Sequence, residues 1–420
     1  MTVREWHKSK LVDVAAKKRW ALNGGPFGSK LSTKHYTESG VPVIRGTNLS
    51  AQSKFSFDDF VYVSEEKADE LRPNNAHPGD LVFTQRGTIG QVGLIPLDSS
   101  IPRFVISQSQ MKLTPDSEHA EPLFLYYYFS APDTVQKIQN LAFSAGVPHI
   151  NLEILRNFEV PLPPLPVQRR IAGVLSAYDE LIENNQRRIK ILEEMARSLY
   201  REWFVKFRFP GHDKVKMVPS SLGPIPQGWE VKKLDEIADV NRAQINTRTA
   251  PPEVHYIDIS SVSPGQVDTI TTYPFSEAPG RARRIVQHGD ILWSCVRPNR
   301  RSHARVMQPA LNTIASTGFA VLTATKVPFS FLYLATTTDD FVTFLTNSAT
   351  GSAYPAVTAK TFEDAVLLIP PTHLLKKFGE ATVPMAEQIH ILQRQTQNLR
   401  RTRDLLLPRL LSGQVDIEAL

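Results

Sequence analysis

From Val167 to Phe207 the chain has no proline and a single glycine, Gly173. Its apolar residues advance in steps of four and three: Ile171, Leu175, Tyr178, Ile182, Ile189, Leu192, Ala196, Leu199 and Trp203, with Asn185 as the one polar residue in the stripe. This spacing predicts a long helix with a coiled-coil seam, in which a lone polar residue serves to fix register. The same rhythm returns 207 residues later in Phe378, Thr382, Met385, Ile389, Leu392, Thr396, Leu399, Arg403, Leu406 and Leu410. Pro163-Pro164 precedes the first run and Pro370-Pro371 the second. Proline is tolerated just before a helix but not within one, so both pairs read as helix starts. Each helix would extend roughly 60 Å, which suits a rigid spacer better than a small globular core.

The stretches before the helices alternate apolar and polar residues over short runs bounded by turn signals, a strand pattern. They also repeat. Trp6 in EWHKSKLVDVAA answers Trp229 in GWEVKKLDEIAD, and VPVIRG from Val41 answers VHYIDIS from Val254. PGDLVFTQRG around Asp80 matches HGDILWSCVR around Asp290, and VISQSQMKLT matches IASTGFAVLT. Each block then enters one amphipathic helix, LFLYYYFSAPDTVQKIQNLA and SFLYLATTTDDFVTFLTNSA, and closes on a loop in which Ile150 answers Val357. The expected organisation is a globule over 1–165, a helix over 166–208, a Pro/Gly/Ser-rich linker over 209–228, a second globule over 229–371, and a second helix with its tail over 372–420. The expected fold class is α+β, with two globules separated by two long antiparallel coiled-coil helices and an internal pseudo-two-fold repeat. Such a chain has the geometry of a dimeric reader of two half-sites.

Composition narrows the setting. Hydrophobic content of 41% is ordinary for a globular protein, and no run of 18 apolar residues is present to span a membrane. The N-terminus lacks the apolar core of a signal peptide. The lone Cys295 rules out an internal disulfide framework or a cysteine-based zinc cluster. These features point to a cytoplasmic, reduced setting. A net charge of +6 is compatible with nucleic acid as partner without demanding it.

The sequence PLPPLPVQRRIAGVLSAYDELIENNQRRIKILEEMARSLYREWFV, the IPQGWEV restart, GDLVFTQRGTIG and the closing LLLPRLLSGQV together resemble the DNA-specificity (S) subunit of type I restriction-modification systems, over nearly the whole chain. The resemblance implies that each globule is a target-recognition domain reading one half of a bipartite site in double-stranded DNA. It implies that the helices set the spacer and dock two methyltransferase subunits, which restriction subunits join. It also implies a non-catalytic chain that holds no cofactor or metal of its own, with S-adenosylmethionine, ATP and Mg²⁺ on the partner subunits. The second helix departs from the pattern at its start, with HLLKKFG where the first has PVQRRIA. A specificity subunit of an orphan or phage-defence methyltransferase fits the same residues. A structural coiled-coil adaptor is the reading from a different class.

No catalytic constellation competes. The Asn-Pro-Pro-aromatic tetrapeptide of amino-methyltransferases is absent. Gly24, Gly25 and Gly28 are not preceded by a strand pattern and lead to no phosphate-loop Lys-Ser/Thr, so a loop close to DNA or a plain turn is the better reading. Asp58 or Asp59 with Glu65 and Lys67 reads as a solvated helix start rather than a nuclease site, and His7, His35 and His149 lack metal-ligand spacing.

Phosphate contact needs positive charge, and base reading needs Arg, Lys, Asn, Gln, Ser or Thr on a rigid frame. In the first globule the candidates are Lys30, Arg45, Thr47, Asn48, Gln85, Arg86, Ser107, Gln108 and Gln110, with His149 and Asn151 weaker. In the second they are Arg281, Arg283, Arg284, Arg297, Asn299, Arg300, Arg301 and Arg305, with Tyr354 and Lys360 weaker. Mutual repulsion among these arginines would be relieved by an anionic partner. Trp203 and Phe204 are expected to pack on a globule or on the partner helix.

Overall fold

The computed structural model describes residues 6–49, 53–144 and 149–415. The chain packs as two compact units, 1–183 with 397–420, and 184–396.

In the first unit, short strands form two four-stranded sheets. One has the order Leu22–Gly24, Gln110–Leu113, Leu81–Thr84, Val92–Leu94, all antiparallel. The other has the order Val61–Val63, Val41–Ile44, Phe104–Ile106, Asn75–Ala76, with its central pair parallel. The second unit repeats both sheets. Ala238–Val240, Phe319–Ala324, Ile291–Ser294 and His303–Arg305 make the antiparallel sheet. Thr271–Pro274, Glu253–Ile257, Thr313–Ser316 and Ala282–Ile285 make the other, again with a parallel central pair. The repeated Gly-Asp turn has one purpose in both. Asp80 accepts from the His77 amide at 3.0 Å and the Thr114 hydroxyl at 2.6 Å. Asp290 accepts from the Gln287 amide at 2.8 Å and the Thr323 hydroxyl at 2.7 Å. Each buried carboxylate thus clamps the entry of its strand to the neighbouring strand. The copies differ beside it: Lys112 lies 3.8 Å from Asp80, whereas Val321 occupies the matching position in the second unit. Burial pushes the Lys112 ammonium below its usual range and the Asp290 carboxyl above its own.

The expected single amphipathic helix of each block is in fact two. Pro122–Ser130 ends before Pro132–Ser144, and Phe329–Thr336 ends before Asp339–Ser348. The break has a local cause in each case. Pro132 drives Ala131 into extended backbone. Thr338 turns extended and its hydroxyl accepts the Phe341 amide as an N-cap.

The long helices run over Leu165–Tyr200, continuing into a π-turn at Arg201–Val205, and over Thr372–Leu411. Contrary to the rule that prolines lie only before a helix, Pro384 and Pro408 lie inside the second. Both are exposed, as are Glu380 and Asp404 four residues before them, so water can reach the carbonyls that a proline leaves unbonded. All the seam residues are buried or half-buried. In the first unit Val167, Ile171, Ala172 and Leu175 share one core with Leu407, Leu410 and Leu411, so the start of one helix lies by the end of the other. In the second unit Ala196 and Phe204 share a core with Leu374, Leu375 and Phe378. Phe204 sits edge-on to Phe378 at 4.7 Å and to Phe331 at 5.1 Å, and Trp203 lies 5.9 Å from Phe378. Burying a phenylalanine in such a cluster contributes roughly 1.5–3 kcal/mol. Both units therefore hold the helices head to tail.

A charged contact crosses the seam. In the first unit Asp179 accepts from the Tyr127 hydroxyl at 2.5 Å and from Arg403 at 2.7 Å, with Lys54 at 3.8 Å. Shifted by the repeat of 207 residues, Asp179 corresponds to Ala386 and Arg403 to Ala196, both buried. Among the described residues no helix is long and apolar enough to cross a membrane.

Candidate nucleic-acid interface

A cleft of about 870 Å³ opens in the first unit where several segments meet. The strand Leu22–Gly24 and the loop after it supply Asn23, Phe27 and Lys30; the end of Leu81–Thr84 leads to Gln85 and Arg86; the short helix Leu152–Arg156 supplies its N-cap Asn151 and its last residue, Arg156. Gln108 also lines it, on the turn between the strands Phe104–Ile106 and Gln110–Leu113. Hydrogen bonds make the glycine-rich loop rigid. Gly25 donates to the Gln110 carbonyl at 2.8 Å, and Asn74 donates to the Gly24 carbonyl at 2.7 Å. A Cβ on Gly25 would lie 2.1 Å from the Ser107 carbonyl oxygen, so only glycine allows this approach. The Gln108 amide donates to the carbonyls of Gly28 and Leu31. The loop presents Phe27 at 86% exposure.

Of the sequence candidates, Lys30, Gln85, Arg86, Gln108 and Asn151 line this cleft. Gln108 acts there as a brace, because its amide donors are taken by the loop. Three other candidates are turned to structural work. Asn48 is fully buried, donating to the Asp58 carbonyl at 2.8 Å and accepting the Arg45 amide at 2.9 Å. A side chain without solvent access cannot touch DNA, and Asn48 is withdrawn as a contact. The Ser107 hydroxyl donates to Gln110, and Arg45 donates to the Asp59 carbonyl. Thr47 is exposed but does not line the cleft. Phe27 and Arg156 went unnoticed in the sequence; an aromatic between Pro26 and Gly28 was the available signal.

The second unit repeats the framework with different side chains. The Ile150 amide donates to the Gln85 carbonyl at 3.2 Å, and the Val357 amide donates to the Cys295 carbonyl at 2.9 Å. The loop before the last short helix is thereby tied to the same strand end in both units. In the second unit that strand end continues into the turn Pro298–Arg300. The arginines do not form one repulsive cluster, because most are engaged singly. Arg297 lies over the Tyr354 ring at 4.7 Å and donates to the Ala353 carbonyl at 3.3 Å. Arg301 is paired with Asp339, Arg305 lies 4.3 Å over Tyr333, and Arg283 lies 5.5 Å over Phe275. Arg284 is half-buried, and burial pushes its guanidinium pKa down. Arg281, Asn299 and Arg300 are exposed. Lys360 is occupied by Asp364 at 3.1 Å.

On the first unit's surface, Asp116, Glu118 and His119 can each offer a ligand atom within 4.8 Å of the others. His119 and Asp116 are already joined at 3.1 Å within one turn.

Residues 4–194 match the family described as the type I restriction modification DNA specificity domain. The type I restriction enzyme MjaIX specificity subunit of Methanocaldococcus jannaschii is 24% identical, over 99% of this chain and 95% of its own. The MjaVIII specificity subunit of the same organism is 23% identical over 75% of each. The crystal structure of the type I restriction-modification S subunit from M. genitalium covers 97% of this chain and 96% of its own, with a TM-score of 0.63 at 18% identity, a likeness of fold. Residues 4–194 thus carry a type I restriction modification DNA specificity domain, and the chain over nearly its whole length is similar to the specificity subunits of type I restriction enzymes.

Proposed function

We propose that the chain selects the DNA target of a type I restriction-modification complex, each unit reading one half of a bipartite sequence. The observation that carries this reading is the repeated edge. In both units a strand end following the Gly-Asp turn is tied to the loop before a short helix, and polar and basic side chains project there. Two copies with different side chains suit an asymmetric two-part target. Lys30, Arg86 and Arg156 would neutralise phosphates, while Gln85 and Asn151 offer the amide groups that pair with base edges. The long helices would set the gap and offer docking surfaces to two methyltransferase subunits, with restriction subunits joining them. Methyl transfer from S-adenosylmethionine and ATP- and Mg²⁺-dependent cleavage would belong to those partners. Co-expression with the cognate methyltransferase subunit, followed by genome-wide mapping of methylated positions, tests the reading. A split motif with an unspecified gap is expected; an uninterrupted motif, or no methylation, would overturn it.

A further inference from the structure

Two arginines in the second unit stand at backbone positions that the first unit gives to glycine. Thr84 donates to the Gln91 carbonyl at 3.0 Å, and Ser294 donates to the Ser302 carbonyl at 2.9 Å, which aligns the two turns. In the first unit the turn uses Gly87 at φ 97° and Gly90 at φ 95°. The second unit's turn is one residue longer; counted from its two ends, the corresponding places hold Arg297 at φ 51° and Arg301 at φ 55°. The left-handed region is unfavourable for any residue with a Cβ, so these side chains are held there against a local preference that glycine would satisfy. Strain of this kind is retained where a site needs it.

Both strained arginines are anchored, Arg297 on Tyr354 and the Ala353 carbonyl, and Arg301 on Asp339. Between them Asn299 and Arg300 are exposed and have no side-chain partner. A phosphate contact needs charge but little geometric precision. Two-pronged pairing with a base edge needs a fixed frame, and Arg with guanine and Asn with adenine are the pairings that geometry favours.

We propose that Asn299 and Arg300 contact base edges in the half-site read by the second unit, and that Arg297 and Arg301 are positioning residues that hold this tip. The inference rests on the DNA-reading function proposed above. The test uses the full chain co-expressed with its cognate methyltransferase subunit, with methylation mapping of the parent and of N299A, R300A, R297G and R301G. N299A and R300A should relax one or two positions within one half of the motif, with discrimination there falling roughly 5- to 150-fold, and leave the other half intact. R297G and R301G should blur the same positions while melting no lower than the parent, since glycine relieves the backbone. An unchanged motif in N299A and R300A overturns the inference. So does a uniform loss across all sequences with a shallower salt dependence, the mark of phosphate contact. Lower melting of R297G and R301G with an intact motif would make the arginines parts of the fold only. A parent complex that yields no split motif would instead refute the DNA-reading function itself.

Discussion

Removing Arg403 should cost more than removing Arg403 and Asp179 together. The Asp179 side chain is only 11% exposed and has three neighbours: the Tyr127 hydroxyl, Arg403 and Lys54. Burial and the adjacent carboxylate push the Tyr127 hydroxyl pKa far above its ordinary value, so it remains a donor. Arg403→Ala would leave a buried carboxylate short of its closest cation, at a cost of about 3 kcal/mol. Asp179→Ala costs less, about 1.5 kcal/mol, because Arg403 is 29% exposed and keeps Asp404 at 2.9 Å. The double variant recreates the alanines found at 196 and 386, and should lie near the Asp179→Ala value, a coupling of about 3 kcal/mol. Urea denaturation of the four proteins, compared at a common m value, measures the cycle. Additive losses, with the double variant the least stable, would show that the contact is not a buried, interdependent pair.

Burial, with Arg197, Arg301 and Arg305 nearby, pushes His303 down to about 4. Its ring lies 4.7 Å from Trp293 and 5.5 Å from Tyr333. The unfolded chain takes up this proton first, so the stabilisation is present above about pH 6.5 and is lost as pH falls toward 4, on the order of 3 kcal/mol in all. His303→Phe should flatten that part of the stability profile; an unchanged slope would assign it to other groups. Gly25→Ala should destabilise the first unit, because its new methyl meets a backbone carbonyl. Phe27→Ala should leave stability within about 0.5 kcal/mol while weakening binding to a duplex carrying the mapped motif; equal affinity would remove the cleft from the interface.

The helices and the repeat were legible because periodicity survives any choice of partner. The 4,3 rhythm predicted the seam, and the Gly-Asp turns predicted matched strands. Other features depended on contacts distant in sequence. Asn48 looks like a polar reader at a strand end, but its amide satisfies carbonyls eight and ten residues on. The second globule's arginines looked like mutual repulsion until aromatic rings and Asp339 were seen to engage them. Gln168, within the PVQRRIA run, is buried and ties Glu121, His119 and Pro163 together. Its counterpart Leu375 packs in an apolar core, a physical reason for the departure at the second helix's start. Phe27 was missed because an exposed aromatic follows no period.

The charged contact across the seam makes the two halves of this chain non-interchangeable. If either half were lost and the gene rebuilt by doubling the survivor, the pairing could not be restored intact. Two copies of the first half would face Asp179 with the methyl of Ala196, twice over, and two copies of the second would face Arg403 with Ala386. At this contact each half presumes the other.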